Sequence, residues 1–242
     1  MIPFPKSPTG TTGMQKAFAI AIRKRFRDSL REIYSYLNTH KETLQESVAL
    51  TEALTPASIA MIGGILEGLK IELSPIVKTY IGAAWWKGNE TMSKLMNVGT
   101  WVPFNKRVIK SVQDESYSYL YSFIDDKQIE LKDLLQTGIT QGDSISTIAN
   151  QIKDSFKVTA WKSELIARSE TIRVYGASSR MAIKNGGVTK EYQWLTSEKE
   201  NVCKLCRPLH GRIFPINSPA SPMPVVDTHP QCNCGIIPYI RV

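Results

Sequence analysis

The feature that most limits what this chain can fold into lies near its C-terminal end: Cys203-Lys-Leu-Cys206, then His229-Pro-Gln-Cys232-Asn-Cys234. All four cysteines sit in these two short pieces. A C-x2-C turn aims two sulfurs at one point while backbone amides support the thiolates. A second two-ligand turn then closes a tetrahedron, the geometry and donor mix that zinc prefers. Cys203, Cys206, His229, Cys232 and Cys234 are five candidates for four positions, and spacing does not select among them. His210 is a sixth, weaker one. The surrounding segment, roughly 188–242, has few large apolar side chains, and one structural zinc ion offsets so small a core. The competing readings are reduced metal-free thiols, disulfides and a catalytic ion. A catalytic ion needs an open position and usually a carboxylate base, and Asp227 is the only acidic residue in the ligand-bearing half.

The rest of the chain reads as helix. After an extended arm over 1–13, Phe18, Ile22, Phe26, Leu30, Ile33 and Leu37 recur at helical spacing and form one buried face. A second helical segment is expected from about His40 to Ala53. Thr55-Pro56 and Ser74-Pro75 each read as a helix start with proline just inside, and Trp85 and Trp86 read as core. Residues 97–105 read as a break. Val108, Val112, Tyr119, Leu120 and Phe123 mark a further helix, and Ile129–Leu135 a shorter one stopping near Gly138. Asp143 or Ser144 is the expected N-cap of the next helix, with Ile145, Ile148, Ala149 and Ile152 as its buried stripe. Ser163 is the expected cap of the last long helix, which Asn185-Gly186-Gly187 ends. The stretch from Thr189 to Leu195 alternates as a strand does. No internal repeat is found. The fold class is therefore mainly α with a small C-terminal α+β zinc-stapled module.

Charge narrows the partners. The chain carries a net +8, which favours an anionic partner: nucleic acid, an acidic membrane surface or an acidic protein. Residues 1–40 hold seven basic groups against two acidic ones. Arg23, Lys24, Arg27 and Arg31 gather away from the apolar face, as candidates for contact with phosphate. No secretory pattern opens the sequence, and no window reaches the ~20 apolar residues of a spanning helix. A soluble protein of a reducing cytosol is expected, where clustered cysteines point to metal before disulfides. No catalytic triad, paired-carboxylate site or phosphate-binding glycine loop is present. Arg168 and Glu170 read as a surface ion pair.

Taken in order, Arg168-Ser-Glu170, Trp194, Cys203-x2-Cys206, Leu209, Gly211, Phe214 and His229-Pro-x-Cys232-x-Cys234 resemble the Mu F-like family of phage minor head proteins, also called phage head morphogenesis proteins. Ser169 stands where the family usually has Thr, and Asn233 where it often has Arg. The resemblance covers roughly 138–242, with residues 14–137 as a helical body. It implies a non-enzymatic virion component, associated with the portal inside the head near the portal vertex. It also implies a role in head assembly or in handling packaged double-stranded DNA, and a stay in the host cytoplasm during assembly. Major capsid or scaffolding protein is a further expected partner, and no membrane is. The rival readings are a sequence-independent DNA-binding protein with a structural zinc module, and a zinc-dependent nuclease.

Overall fold

The computed structural model describes residues 7–40, 56–99, 106–141, 143–157, 159–197 and 202–241. The expected helix from His40 to Ala53, the first six residues of the arm and most of the break near 100–105 lie outside them. The described chain runs through helices α1 (Thr12–Thr39), α2 (Pro56–Leu95), α3 (Lys106–Thr140), α4 (Ile145–Phe156) and α5 (Thr159–Gly186). Strands β1 (Glu191–Leu195), β2 (Ile213–Pro215) and β3 (Gly235–Pro238) follow, with a short 3-10 turn at Arg207–Leu209 before β2. The expectation of a mainly α chain with a small β-containing end holds.

Two compact units emerge: residues 1–19, 77–116 and 164–242 form one, and residues 20–76 and 117–163 the other. In the second unit the α1 stripe is buried as its spacing dictates: Ile22, Phe26, Ile33 and Leu37 are fully covered. Phe26 meets Phe123 and Phe156 at ring separations of 5.4 and 6.4 Å. Each such side chain contributes about 1.5–3 kcal/mol by leaving water. The α4 stripe is also buried, and its N-cap is Ser144, whose hydroxyl accepts from the Thr147 amide at 3.1 Å. That hydroxyl satisfies one of the amides a helix start leaves without a partner.

Three boundary expectations are corrected. Ser74-Pro75 does not start a helix: Pro75 lies inside α2. The carbonyl that loses its donor to proline belongs to Ile71, which is 76% exposed. The hydroxyls of Tyr117 and Tyr121 donate to the neighbouring carbonyls of Ser74 and Lys70 at 3.1 and 3.3 Å, bracing the same stretch. The two helices expected around Val108–Phe123 and Ile129–Leu135 are one, α3, because its buried residues Leu120, Ile124, Leu131 and Leu135 keep a single helical register. Ser163 does not cap the last helix, which begins at Thr159. Its hydroxyl bonds back to the Thr159 carbonyl at 2.6 Å, a pattern that suits a helix interior.

In the first unit, α5 packs against α2 at Gly88. A Cβ there would stand 2.6 Å from the Tyr175 carbonyl oxygen and 3.1 Å from Ser178 Cβ. The Ser178 hydroxyl donates to the Trp85 carbonyl at 2.5 Å at the same crossing. Trp85 is buried as expected, but Trp86, one residue around the helix, is 53% exposed. The sheet has the order β2-β1-β3, both pairings antiparallel. It does not enclose a core of its own. Tyr192, Trp194 and Ile236 bury themselves with Tyr175 and Ile183 of α5 and with Met92 and Met96 at the end of α2 and just beyond it. The arm joins this layer: Thr9 and Thr11 are buried, and Pro8 and Thr9 lie against Gly235.

The close crossing at Gly88 carries a direct test. Gly88→Ala forces two backbones apart at a contact with no flexible side chain to yield. It is expected to destabilise by about 1–3 kcal/mol in urea unfolding, and an unchanged midpoint contradicts the crossing.

Candidate metal centre

Sheet order explains why distant ligands meet. The Cys203–Cys206 turn lies between β1 and β2, and His229, Cys232 and Cys234 lie just before β3. Because β1 is central, its Leu195 end lies beside the start of β3, with Leu195 opposite Gly235. The same end adjoins the approach to β2, through Trp194 N to Arg212 O at 2.9 Å and Gly211 N to Trp194 O at 2.8 Å. Gly211 has φ +76 at this turn, a conformation glycine adopts freely.

The five candidate residues form two overlapping triads: Cys203, Cys206 and His229, and Cys206, Cys232 and Cys234. Within each, the ligand atoms lie within 4.8 Å of one another. Cys206 Sγ is 3.7 Å from Cys232 Sγ and 3.5 Å from His229 Nε2. A tetrahedral ion bound by thiolate and imidazole has S···S edges of about 3.8 Å and S···N edges of about 3.6 Å, so both separations fit. Cys203 Sγ and His229 Nε2 stand closer, at 3.0 Å, and an ion seated there opens that edge by about 0.5 Å. The cysteines are free thiols, and Cys206, Cys232 and Cys234 are buried.

Local bonds prepare the donors. The Cys206 amide donates to Cys203 Sγ at 3.2 Å, and Arg207 N bonds Cys203 O at 3.0 Å, closing the C-x2-C turn. The Pro230 carbonyl accepts from His229 Nδ1 at 2.7 Å. A carbonyl only accepts, so Nδ1 carries the proton and neutral His229 presents the lone pair of Nε2 to the sulfurs. This is the outer hydrogen bond that fixes a ligating imidazole. Gln231, between His229 and Cys232, has φ +62, and its amide donates to the Ser169 hydroxyl of α5 at 2.9 Å.

The electrostatics call for a cation. Burial pushes the Cys206 thiol up to about 12, reinforced by repulsion from Cys232. The Cys234 thiol, bonded to Cys232 and buried, is raised further. Cys232 is pushed down to about 5, first by the hydrogen bond from Cys234, then by the Cys234 amide and the Thr228 hydroxyl, against the cost of burial. Burial raises Cys203, but the amides of Cys206 and Leu205 outweigh it and leave the thiol lowered. Burial lowers His229, and the Pro230 carbonyl with the Cys232 and Cys203 sulfurs more than reverse this. So many sulfurs in one buried spot cannot all ionise against one another, and a bound metal would supply the missing positive charge.

The other sequence candidates fall elsewhere. His210 Nδ1 accepts from the amide of Thr196 at 3.1 Å and bonds its hydroxyl at 2.8 Å, outside both triads. Asp227 closes a turn by accepting from the Met223 amide at 2.8 Å. Glu170 is not half of a surface pair: it is buried, and its partner is Arg173, at 2.8 Å. Arg173 also bonds Glu115, the Val112 carbonyl and the Ser116 hydroxyl, which itself donates to Glu170 at 2.5 Å. On a helix, side chains at i, i+3 are neighbours and those at i, i+2 are not, so Glu170 pairs with Arg173 rather than with Arg168. Arg168 is half-buried, and its Nε has no hydrogen-bond partner among the described residues. On α1, Lys24, Arg27 and Arg31 are exposed and Arg23 is half-buried; Arg31 pairs with Asp28 at 3.4 Å. The residue that sequence reasoning missed is Ser169, quoted only as part of a motif. No pattern in the sequence singles it out, because its partner, the Gln231 amide, lies far along the chain.

Residues 127–237, just under half of the chain, match the family model described as Phage Mu protein F like protein. Both triads, Ser169, Glu170 and Trp194 lie inside the match. That segment is similar to the family. No curated protein and no solved structure matches the chain. No described helix is long and apolar enough to cross a membrane.

Metal uptake must expel the proton that Cys206 holds, and at lower pH it competes with protonation of His229. Metal binding therefore releases protons, and affinity rises with pH. In competition titrations the apparent affinity is expected to fall steadily from about pH 8 to about pH 6. A flat profile contradicts thiol ligation.

Proposed function

We propose, from residues 127–237 as a Mu F-like segment, that this chain is a structural minor head protein of a tailed bacteriophage. It docks on the portal, inside the head at the portal vertex, and acts in head assembly and in handling packaged DNA; it is made and assembled in the host cytoplasm. It is not an enzyme. The observation that carries this reading is the family match together with a donor set suited to a structural ion.

The ion proposed is one zinc, held by Cys203, Cys206, His229 and Cys232. The 3.7 and 3.5 Å separations around Cys206 support this set, and the S–H of Cys234 then stabilises the Cys232 thiolate from the second layer. Zinc so bound, with four protein ligands, leaves no open position for substrate water. Asp227 accepts from the Met223 amide in a turn, and it is the closed ligand set that argues against the nuclease alternative. The exposed Lys24, Arg27 and Arg31 are the proposed DNA-facing groups, and they support the rival reading of a sequence-independent DNA-binding protein equally well.

Co-expression with the portal protein of the same phage separates these readings. A stoichiometric complex that survives gel filtration at moderate salt is expected. Absence of that complex, with strongly salt-dependent binding to duplex DNA, favours the rival. Anaerobically purified protein is expected to carry one equivalent of zinc. Cys232→Ala should remove it, while Cys234→Ala should keep it with lower affinity; the reverse order assigns the fourth position to Cys234.

A further inference from the structure

The turn that presents His229 and Cys232 is built against its own backbone preference. Gln231 has φ +62 and Val225, a β-branched residue, φ +70, in a region that side chains larger than glycine disfavour. Such conformations persist only where surrounding bonds hold them. Within the segment, Val225 N bonds Thr228 Oγ1 at 3.1 Å and Met223 N bonds Asp227 Oδ2 at 2.8 Å. Backbone bonds add Asp227 N to Met223 O at 3.0 Å and Cys232 N to His229 O at 3.3 Å. A further bond comes from another element. It is the Gln231 amide, donating to the Ser169 hydroxyl of α5 at 2.9 Å.

Ser169 is well placed to act as an anchor. It is 4% exposed. The next residue, Glu170, is fixed by Arg173 and Ser116, so α5 has one rotational setting here. The His229 ring is held through Pro230, the residue preceding Gln231. Turning the peptide before Gln231 therefore swings His229 on one side and Cys232 on the other.

We infer that Ser169 is a positioning residue of the metal centre: its hydroxyl holds the left-handed Gln231 turn that aims His229 Nε2 and Cys232 Sγ at a common ion. The inference rests on the metal reading above. It gives the Arg168-Ser169-Glu170 motif a division of labour, in which Glu170 fixes the helix and Ser169 grips the ligand turn. Threonine carries the same hydroxyl and serves equally.

The test is a set of cobalt(II) and zinc(II) competition titrations on the full chain. Wild type must first show the intense visible bands of tetrahedral cobalt with thiolate ligands; their absence defeats the metal reading itself. Given those bands, Ser169→Ala is expected to lose about 10- to 100-fold in metal affinity, as outer-layer partners of ligands do. Ser169→Thr should stay within about threefold of wild type. Ser178→Ala, which removes another buried hydroxyl of the same helix, should lower thermal stability without changing affinity. Gln231→Gly frees the turn from its strain, so adding Ser169→Ala to it should cost less than about threefold. Retention of wild-type affinity by Ser169→Ala overturns the inference. So does an equal loss from Ser169→Ala with Gln or Gly at 231, and these glycine variants decide the matter if Ser169→Ala alone does not fold.

Discussion

The C-terminal end of this protein depends on one electrostatic constraint: four thiols, three of them buried, crowd around one imidazole in a space too small for all of them to ionise. Without a cation, the protons distribute unevenly, with Cys232 pushed down to about 5 and Cys206 up to about 12. A single bound ion would relieve this conflict. The three-stranded sheet makes this possible, since its central strand brings the two ligand turns to one end.

The sheet in turn depends on the helices. Its buried face is completed by Tyr175 and Ile183 of α5 and by Met92 and Met96. The α5–α2 crossing at Gly88 sets how closely these layers approach. The Glu170–Arg173 pair, with Ser116, is a buried charged network. Pairs of this kind contribute little net stability, yet losing one partner is costly because the other is left buried. Its value here is a fixed helix rotation, which presents Ser169 to the ligand turn.

Much of this was legible in the sequence, for physical reasons that differ by element. The α1 and α4 stripes were readable because helical periodicity and burial coincide there, and Ser144 because a cap is a local hydrogen bond. The cluster of candidate ligands was readable because two ligand pairs at turn spacing are suited to converge on one point, and the structure brings them into two overlapping triads. Ser74-Pro75 and Ser163 misled because each is a start signal locally, while burial of the surrounding helix overrode it. Glu170 was misread because the i, i+3 neighbour Arg173 was passed over for Arg168, two residues away and on another side of the helix; its burial is a tertiary fact. Trp86 was misread because a helix separates adjacent residues by about 100°, so Trp85 alone could enter the core. Ser169 stayed hidden because its partner, the Gln231 amide, is distant in the chain and leaves no side-chain pattern.

One zinc ion is proposed to close this end of the fold through three sulfurs and one imidazole nitrogen. X-ray absorption at the zinc edge of anaerobically purified protein measures this directly. The account predicts three Zn–S paths near ~2.3 Å and one Zn–N path near ~2.0 Å. A shell of only oxygen and nitrogen, or four sulfurs without imidazole, would contradict it.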